Sequence, residues 1–177
     1  MIEAAIEELQ ERGVAGMSFS EVLARSGAAR GAIYHHFPGG KAELVREATR
    51  VFGERVVAAI GTLPTDSPRA TVTAFLDTVR PVVRDAGDGR SCAVAAAAAG
   101  ASGLDPELLE VADAAFTNWI GALATRLETA GLTRRDAKAL AATLINALEG
   151  AQVLTRAGAG PSHFRTVAQW ILDHLDA

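Results

Sequence analysis

Residues 34–36 read Tyr-His-His, and after Phe37 the chain breaks into Pro38-Gly39-Gly40 before Lys41. Two imidazoles beside a phenol and an ammonium can hold a metal, move protons or grip an anion. Metal fits worst. Adjacent residues on a helix point about 100° apart, whereas histidines that share an ion on a helix sit four residues apart. Proton-transfer catalysis needs a second group in a recognisable pattern, and none is present. There is no GxSxG, P-loop or HExxH sequence and no clustered pair of carboxylates, Cys92 has no motif-linked base, and His163 and His174 are isolated. No enzyme activity, cofactor or metal site is expected. Contact with an anion remains, beside the plainer reading of two histidines exposed on a helix surface.

Global charge argues against a broad anion-binding face, since the 177 residues carry a formal net charge of -4 and a pI near 5.6. Between Arg12 and Lys41 the balance reverses: Arg12, Arg25, Arg30 and Lys41 face only Glu21, a local +3. The acids Glu3, Glu7, Glu8 and Glu11 precede this stretch on the first helix, where they need not share its surface. Cys92 is the only cysteine, which excludes an intramolecular disulfide and fits a reducing compartment; a small buried apolar residue is its expected role. The N-terminus lacks the pattern of a signal peptide, and the most apolar run, residues 92–101, is too short to span a bilayer. A cytoplasmic protein without a membrane partner is expected.

The elements that must position these side chains are helical throughout. Alanine, leucine, glutamate and arginine abound, and no segment alternates with a strand's period of two. A first amphipathic helix over residues 1–12 presents Ile2, Ala5, Ile6 and Leu9 and stops at Gly13. Ser18 and Glu21 form a capping box, with Met17 and Val22 at the positions of a hydrophobic staple, so a second helix starts there and ends at Ser26-Gly27. A third short helix over residues 29–37 completes a helix-turn-helix. Pro-Gly-Gly ends it, and a connecting helix runs over 41–60.

Ser67 and Pro68 open a fifth helix to Asp85, which Pro81 should kink or end locally. A short alanine-rich helix begins at Cys92. Asp105 caps a long helix over 106–129, and Thr133 caps an eighth with the apolar stripe Leu140, Leu144, Ala147, Leu148, Ala151 and Leu154. A ninth over 162–175 offers Phe164, Val167, Ala168, Trp170, Ile171 and Leu175. The fold class is therefore all-α, with about nine helices. The expected division is a helix-turn-helix domain over 1–45 and a helical domain over 46–177. Phe75, Val79, Phe116, Trp119, Leu123 and Glu149 either line a ligand pocket in the latter or belong to its core, with Gln152 beside Glu149.

The segment "SFSEVLARSGAARGAIYHHFPGGKAEL" resembles the DNA-binding part of TetR-family transcriptional repressors, and its Pro-Gly-Gly-Lys continuation resembles the LmrA/YxaF-type subgroup. "GRSC" and "LEGAQVL" resemble that subgroup's ligand-binding domain more loosely. The resemblance implies a cytoplasmic homodimer that binds double-stranded operator DNA and responds to a small-molecule effector. It assigns Ser18 and Ser20 to phosphates at the start of the second helix. Arg30, Ala32 and His35 would face base edges, while Tyr34, His36 and Lys41 would hold phosphates. Leu23, Ile33 and Phe37 would form the core beneath.

Two departures stand out: Ala29 and Ala32 replace the Pro or Ser and the Ser or Thr common at those places, so methyl contacts and DNA shape would carry more of the readout. The chain also opens at the first helix, without the basic arm of many relatives. The eighth and ninth helices either close the chain's own core or, as the resemblance implies, pair with a second subunit in a four-helix bundle through Leu140, Leu144, Ala147, Leu148, Ala151, Leu154, Phe164, Val167, Trp170 and Ile171. The other reading is a helical ligand-binding protein with weak or lost DNA binding.

Overall fold

The computed structural model describes residues 1–101 and 105–175; the side chains of Arg30 and Ile33 lie outside the described residues. Among them are nine α-helices and no strand: α1 Ile2–Gly16, α2 Phe19–Ser26, α3 Arg30–His36, α4 Gly40–Gly61, α5 Pro68–Asp85, α6 Ala93–Gly100, α7 Pro106–Thr129, α8 Arg134–Leu154 and α9 Ser162–Asp173. The caps fall where hydroxyl and carboxylate side chains stand. Ser18 accepts from the Glu21 N–H at 3.3 Å, Ser67 from Ala70 at 3.1 Å, Asp105 from Leu108 at 3.0 Å and Thr133 from Asp136 at 3.2 Å. At Gly13 the backbone turns to φ 65°, which ends the regular part of α1 at the expected place.

Two compact units result, residues 1–55 with 91–116, and 56–90 with 117–177. The first unit therefore contains more than the helix-turn-helix. Alanines of α6 let α1 approach closely, and Ala93 and Ala97 join Ala5, Leu9, Met17, Val22, Leu44, Val45 and Leu108 in one buried cluster. The Ser91 N–H and hydroxyl both donate to the Gln10 carbonyl, at 2.8 and 3.0 Å, fixing the start of α6 on α1. At the other end of α6 a Cβ on Gly100 would lie 2.7 Å from Val14 Cβ. Because that atom cannot rotate away, Gly100→Ala should separate the two helices and cost about 1–3 kcal/mol. Chemical denaturation checks this, and an unchanged midpoint would refute the close approach.

In the second unit α5, α8 and α9 pack on one another. Val72, Phe75, Leu76, Val79 and Val83 of α5 point inward, as do Phe164, Ala168 and Ile171 of α9. α5 runs on through Pro81 to Asp85, so of the two expected effects the proline does not end the helix. It lies on the exposed side, where water can satisfy the carbonyl that its missing N–H leaves unpaired. After α8 the chain makes a π turn, Thr155–Ala159, packed against a 3-10 turn at Ala86–Asp88; Arg156 Nη1 donates to the Gly89 carbonyl at 3.1 Å. Cys92 is buried at the N-cap of α6, where its Sγ accepts from the Ala95 N–H at 3.5 Å. No helix among the described residues is long and apolar enough to cross a membrane.

Candidate nucleic-acid interface

α2 and α3 are joined through Gly27, whose left-handed conformation (φ 64°, ψ 12°) reverses the chain with no Cβ penalty. Val22 is fully buried under this pair, with Phe37 below the end of α3. Outward, Ala29, Gly31, Tyr34, His35 and His36 are all exposed, while Ala32 is half-buried. Tyr34 is 63 % exposed, yet its ring is held edge-on by Phe19, centroids 5.9 Å apart. That contact fixes where the phenol oxygen can reach. The rings of His35 and His36 diverge, T-shaped at 71°, as neighbours on a helix must.

Ser18 and Ser20 stand at the start of α2, their hydroxyls 3.0 Å apart, with Ser18 also capping the helix. Gly40, at φ 72°, opens α4, and the Gly39 N–H donates to Glu43 Oε2 at 2.7 Å. Lys41 is half-buried just beyond this joint. Sequence reasoning missed Phe19 and Glu43; a carboxylate four residues after Gly39 was the available signal for the second.

The local +3 needs correction. Arg25 meets carboxylates at residues 7, 8 and 11 of α1, and Arg12 lies 3.7 Å from Glu8. The hydrogen bonds that Arg25 donates to Glu11 above all raise its pKa beyond its already high ordinary value. Those acids do turn toward α2, so two of the four cations counted in the sequence are neutralised within the fold. Lys41 and Arg30 remain, the Arg30 side chain lying outside the described residues. On the same helix, hydrogen bonding to Arg55 holds Glu3 below the usual carboxylate range and ties the first turn of α1 to α4.

This arrangement is that of a known family. A model for the N-terminal domain of bacterial regulatory proteins of the TetR family matches residues 1–55, and one for the C-terminal domain of LmrA/YxaF-like transcriptional regulators matches 68–170. The chain belongs to the TetR family. Among its relatives in that family, an HTH-type transcriptional regulator of Mycobacterium tuberculosis is 32% identical over 162 residues, covering 88% of this chain and 82% of that protein. LmrA of Bacillus subtilis is 30% identical over 159 residues, with 88% and 84% covered. The fold resembles that of a TetR regulator from Legionella pneumophila, with TM-score 0.82, 20% identity and 98% and 94% of the chains covered. It also resembles CifR, a TetR-family regulator solved with a 26 bp operator duplex, with TM-score 0.77, 20% identity and 98% and 94% covered. The protein is thus a DNA-binding transcriptional regulator of TetR type.

The other residues singled out from sequence fall in two settings. Phe75, Val79, Trp119 and Leu123 are buried in the second unit, at 3 %, 7 %, 2 % and 0 % exposure. Phe116 is half-buried and belongs to the first unit. Glu149 is half-buried and accepts from Gln152 Nε2 at 3.4 Å; Gln152 is 4 % exposed, and its Oε1 has no hydrogen-bond partner.

The residues expected at a dimer face divide by their burial within one chain. Leu144, Leu148, Ala151, Phe164 and Ile171 are buried in their own chain, and Leu140 and Ala147 are half-buried. The apolar face of α8 serves this chain's core, because the inward row runs through Ala137, Ala141, Leu144, Ile145, Leu148, Ala151 and Gln152. Left outside are Leu154, Val167 and Trp170, joined by Val153.

Proposed function

We propose that the protein is a cytoplasmic repressor that binds a palindromic operator as a homodimer and is released by a small apolar or aromatic effector. The observation that carries the DNA reading is the outward row Tyr34, His35 and His36 on a helix seated by Val22 and Phe37, next to Lys41. In this reading Tyr34, His36, Lys41, Ser18 and Ser20 hold phosphates, and Arg30, Ala32 and His35 meet base edges. The recognition helices of two subunits would enter major grooves about 34–36 Å apart. The exposed Val153, Leu154, Val167 and Trp170 supply the apolar face that a two-fold partner would cover.

The effector would lie in the second unit against Phe75, Val79, Trp119 and Leu123, with Glu149 at its polar end. The unpartnered Gln152 oxygen favours an effector that brings a hydrogen-bond donor to an apolar body. It releases DNA only as far as it binds the released conformation better than the DNA-bound one.

Lys41→Ala should weaken binding to every duplex alike and reduce the salt slope by about 0.9, the signature of one lost phosphate contact. Arg30→Ala should instead cost about 1–3 kcal/mol at one base position. Anisotropy titrations at several salt concentrations read both. One observation favours the second reading, a ligand-binding protein that has lost DNA binding: Arg12 and Arg25 are neutralised by α1. Binding unaffected by either Lys41→Ala or Arg30→Ala would decide for it.

A further inference from the structure

The local charge count gives Arg25 to the nucleic-acid face, yet its guanidinium is committed to α1. Nη2 lies 2.5 Å from Glu11 Oε2, and Nη1 3.3 Å from both Glu11 Oε1 and Glu7 Oε2. Nε lies 3.0 Å from Glu8 Oε1, close enough for an ion pair although not aligned as a hydrogen bond. Glu8 is fully buried, and its remaining cationic neighbour is Arg12 at 3.7 Å. Burying a carboxyl group away from a cationic partner is costly, so the position of Arg25 is demanded from the α1 side as much as offered from α2.

α2 has little else to hold its C-terminal end. It is 8 residues long, and Val22 is its one fully buried side chain among those described. Phe19 and Leu23 are only partly buried against the core. The last turn of α2, which carries Arg25, leads directly into Gly27 and then α3. Whatever fixes that turn fixes the direction in which α3 leaves it.

We infer that Arg25 is a positioning residue for DNA reading: it clamps the last turn of α2 to Glu7, Glu8 and Glu11 of α1, and so sets the angle at which α3 meets base edges without touching a phosphate itself. This rests on the DNA-binding reading above. A phosphate contact strengthens binding to any duplex, whereas a clamp on the reading angle matters only where base edges are read.

The test uses the full chain and two probes: a duplex that the wild-type protein selects from random-sequence DNA, and an unrelated duplex of equal length. Arg25→Met keeps the aliphatic stem and removes the charge. It should weaken binding to the selected duplex about tenfold or more, leaving the unrelated duplex and both salt slopes unchanged. The active fraction, from stoichiometric titration, should stay that of the wild type. Glu8→Gln with Arg25→Met removes the uncompensated carboxylate and should recover stability, and it keeps the measurement available if the single variant melts early. Arg25→Lys should recover part of the discrimination between the duplexes.

Equal loss on both duplexes, with the slope reduced by about 0.9, would make Arg25 a phosphate contact and overturn the inference. Unchanged affinity for both duplexes in the folded variants would overturn it too, leaving the cluster a matter of stability alone. A wild-type protein that selects no duplex would instead remove the DNA reading itself, a result recognisable before any variant is made.

Discussion

Trp119→Ala is expected to lower stability by about 3–5 kcal/mol, the range for removing a large aromatic side chain from a packed interior. Trp119 is 2 % exposed, the largest of the fully buried side chains, and it lies in the middle of α7. An alanine in its place would leave a volume that a close-packed interior refills only in part. For a chain of this size each kcal/mol displaces the melting temperature by about 2–4 °C, so a fall of at least about 6 °C should be seen. A shift below that would mean that the indole sits in a loose cavity and not in a packed core. Trp119→Phe separates stability from effector binding, because it keeps most of the apolar contact while changing the shape offered to a ligand.

Trp170→Glu is expected to weaken the dimer by at least about 3 kcal/mol, more than 100-fold in the dissociation constant. Trp170 is 59 % exposed on α9 and stacks on His174, centroids 4.3 Å apart at 23°. Val167 lies one turn before it, and Val153 and Leu154 end α8. An aromatic anchor at the centre of an interface is commonly worth 2 kcal/mol or more, and a carboxylate buried unpaired in its place adds a desolvation penalty. Sedimentation across a dilution series measures the change. Because the chain has only two tryptophans, emission from the Trp119→Ala protein comes from Trp170 alone and should shift to the blue as concentration rises. Emission that ignores concentration, with a Trp170→Glu protein sedimenting like the wild type, would overturn the proposed dimer through this face.

The helix boundaries were legible because they are written in local chemistry. Ser18, Ser67, Asp105 and Thr133 each cap the helix that follows, and Gly13 and Gly27 end the ones before them. The helix-turn-helix that would carry the interface was legible for a similar reason, since the tight pattern from Ser18 to Lys41 has its own turn at Gly27 and its own buried Val22 and Phe37. What sequence could not supply were relations between helices. Arg25 counted as a free cation because nothing in its neighbourhood reveals that Glu7, Glu8 and Glu11, more than three turns upstream, share its side of the fold. Leu144 and Leu148 looked available to a partner because an apolar stripe reports that a face is buried, not which body buries it. Pro81 was read as a breaker because the helix's exposed side, where its missing N–H does little harm, was not yet known.

The inclusion of residues 91–116 in the first unit has a consequence for inheritance and for protein engineering. Family models that match residues 1–55 and 68–170 separately suggest a simple exchange, one N-terminal segment joined to another body. Here such a graft of residues 1–55 would arrive without its own α6, and the close fit of Val14 to Gly100 and of Gln10 to Ser91 would depend on the recipient's helix. A chimera that carries residues 91–116 along with the head should fold and bind better than one that does not. The unit of exchange is then discontinuous in sequence, and substitutions at the α1–α6 contact should be accepted in compensating pairs.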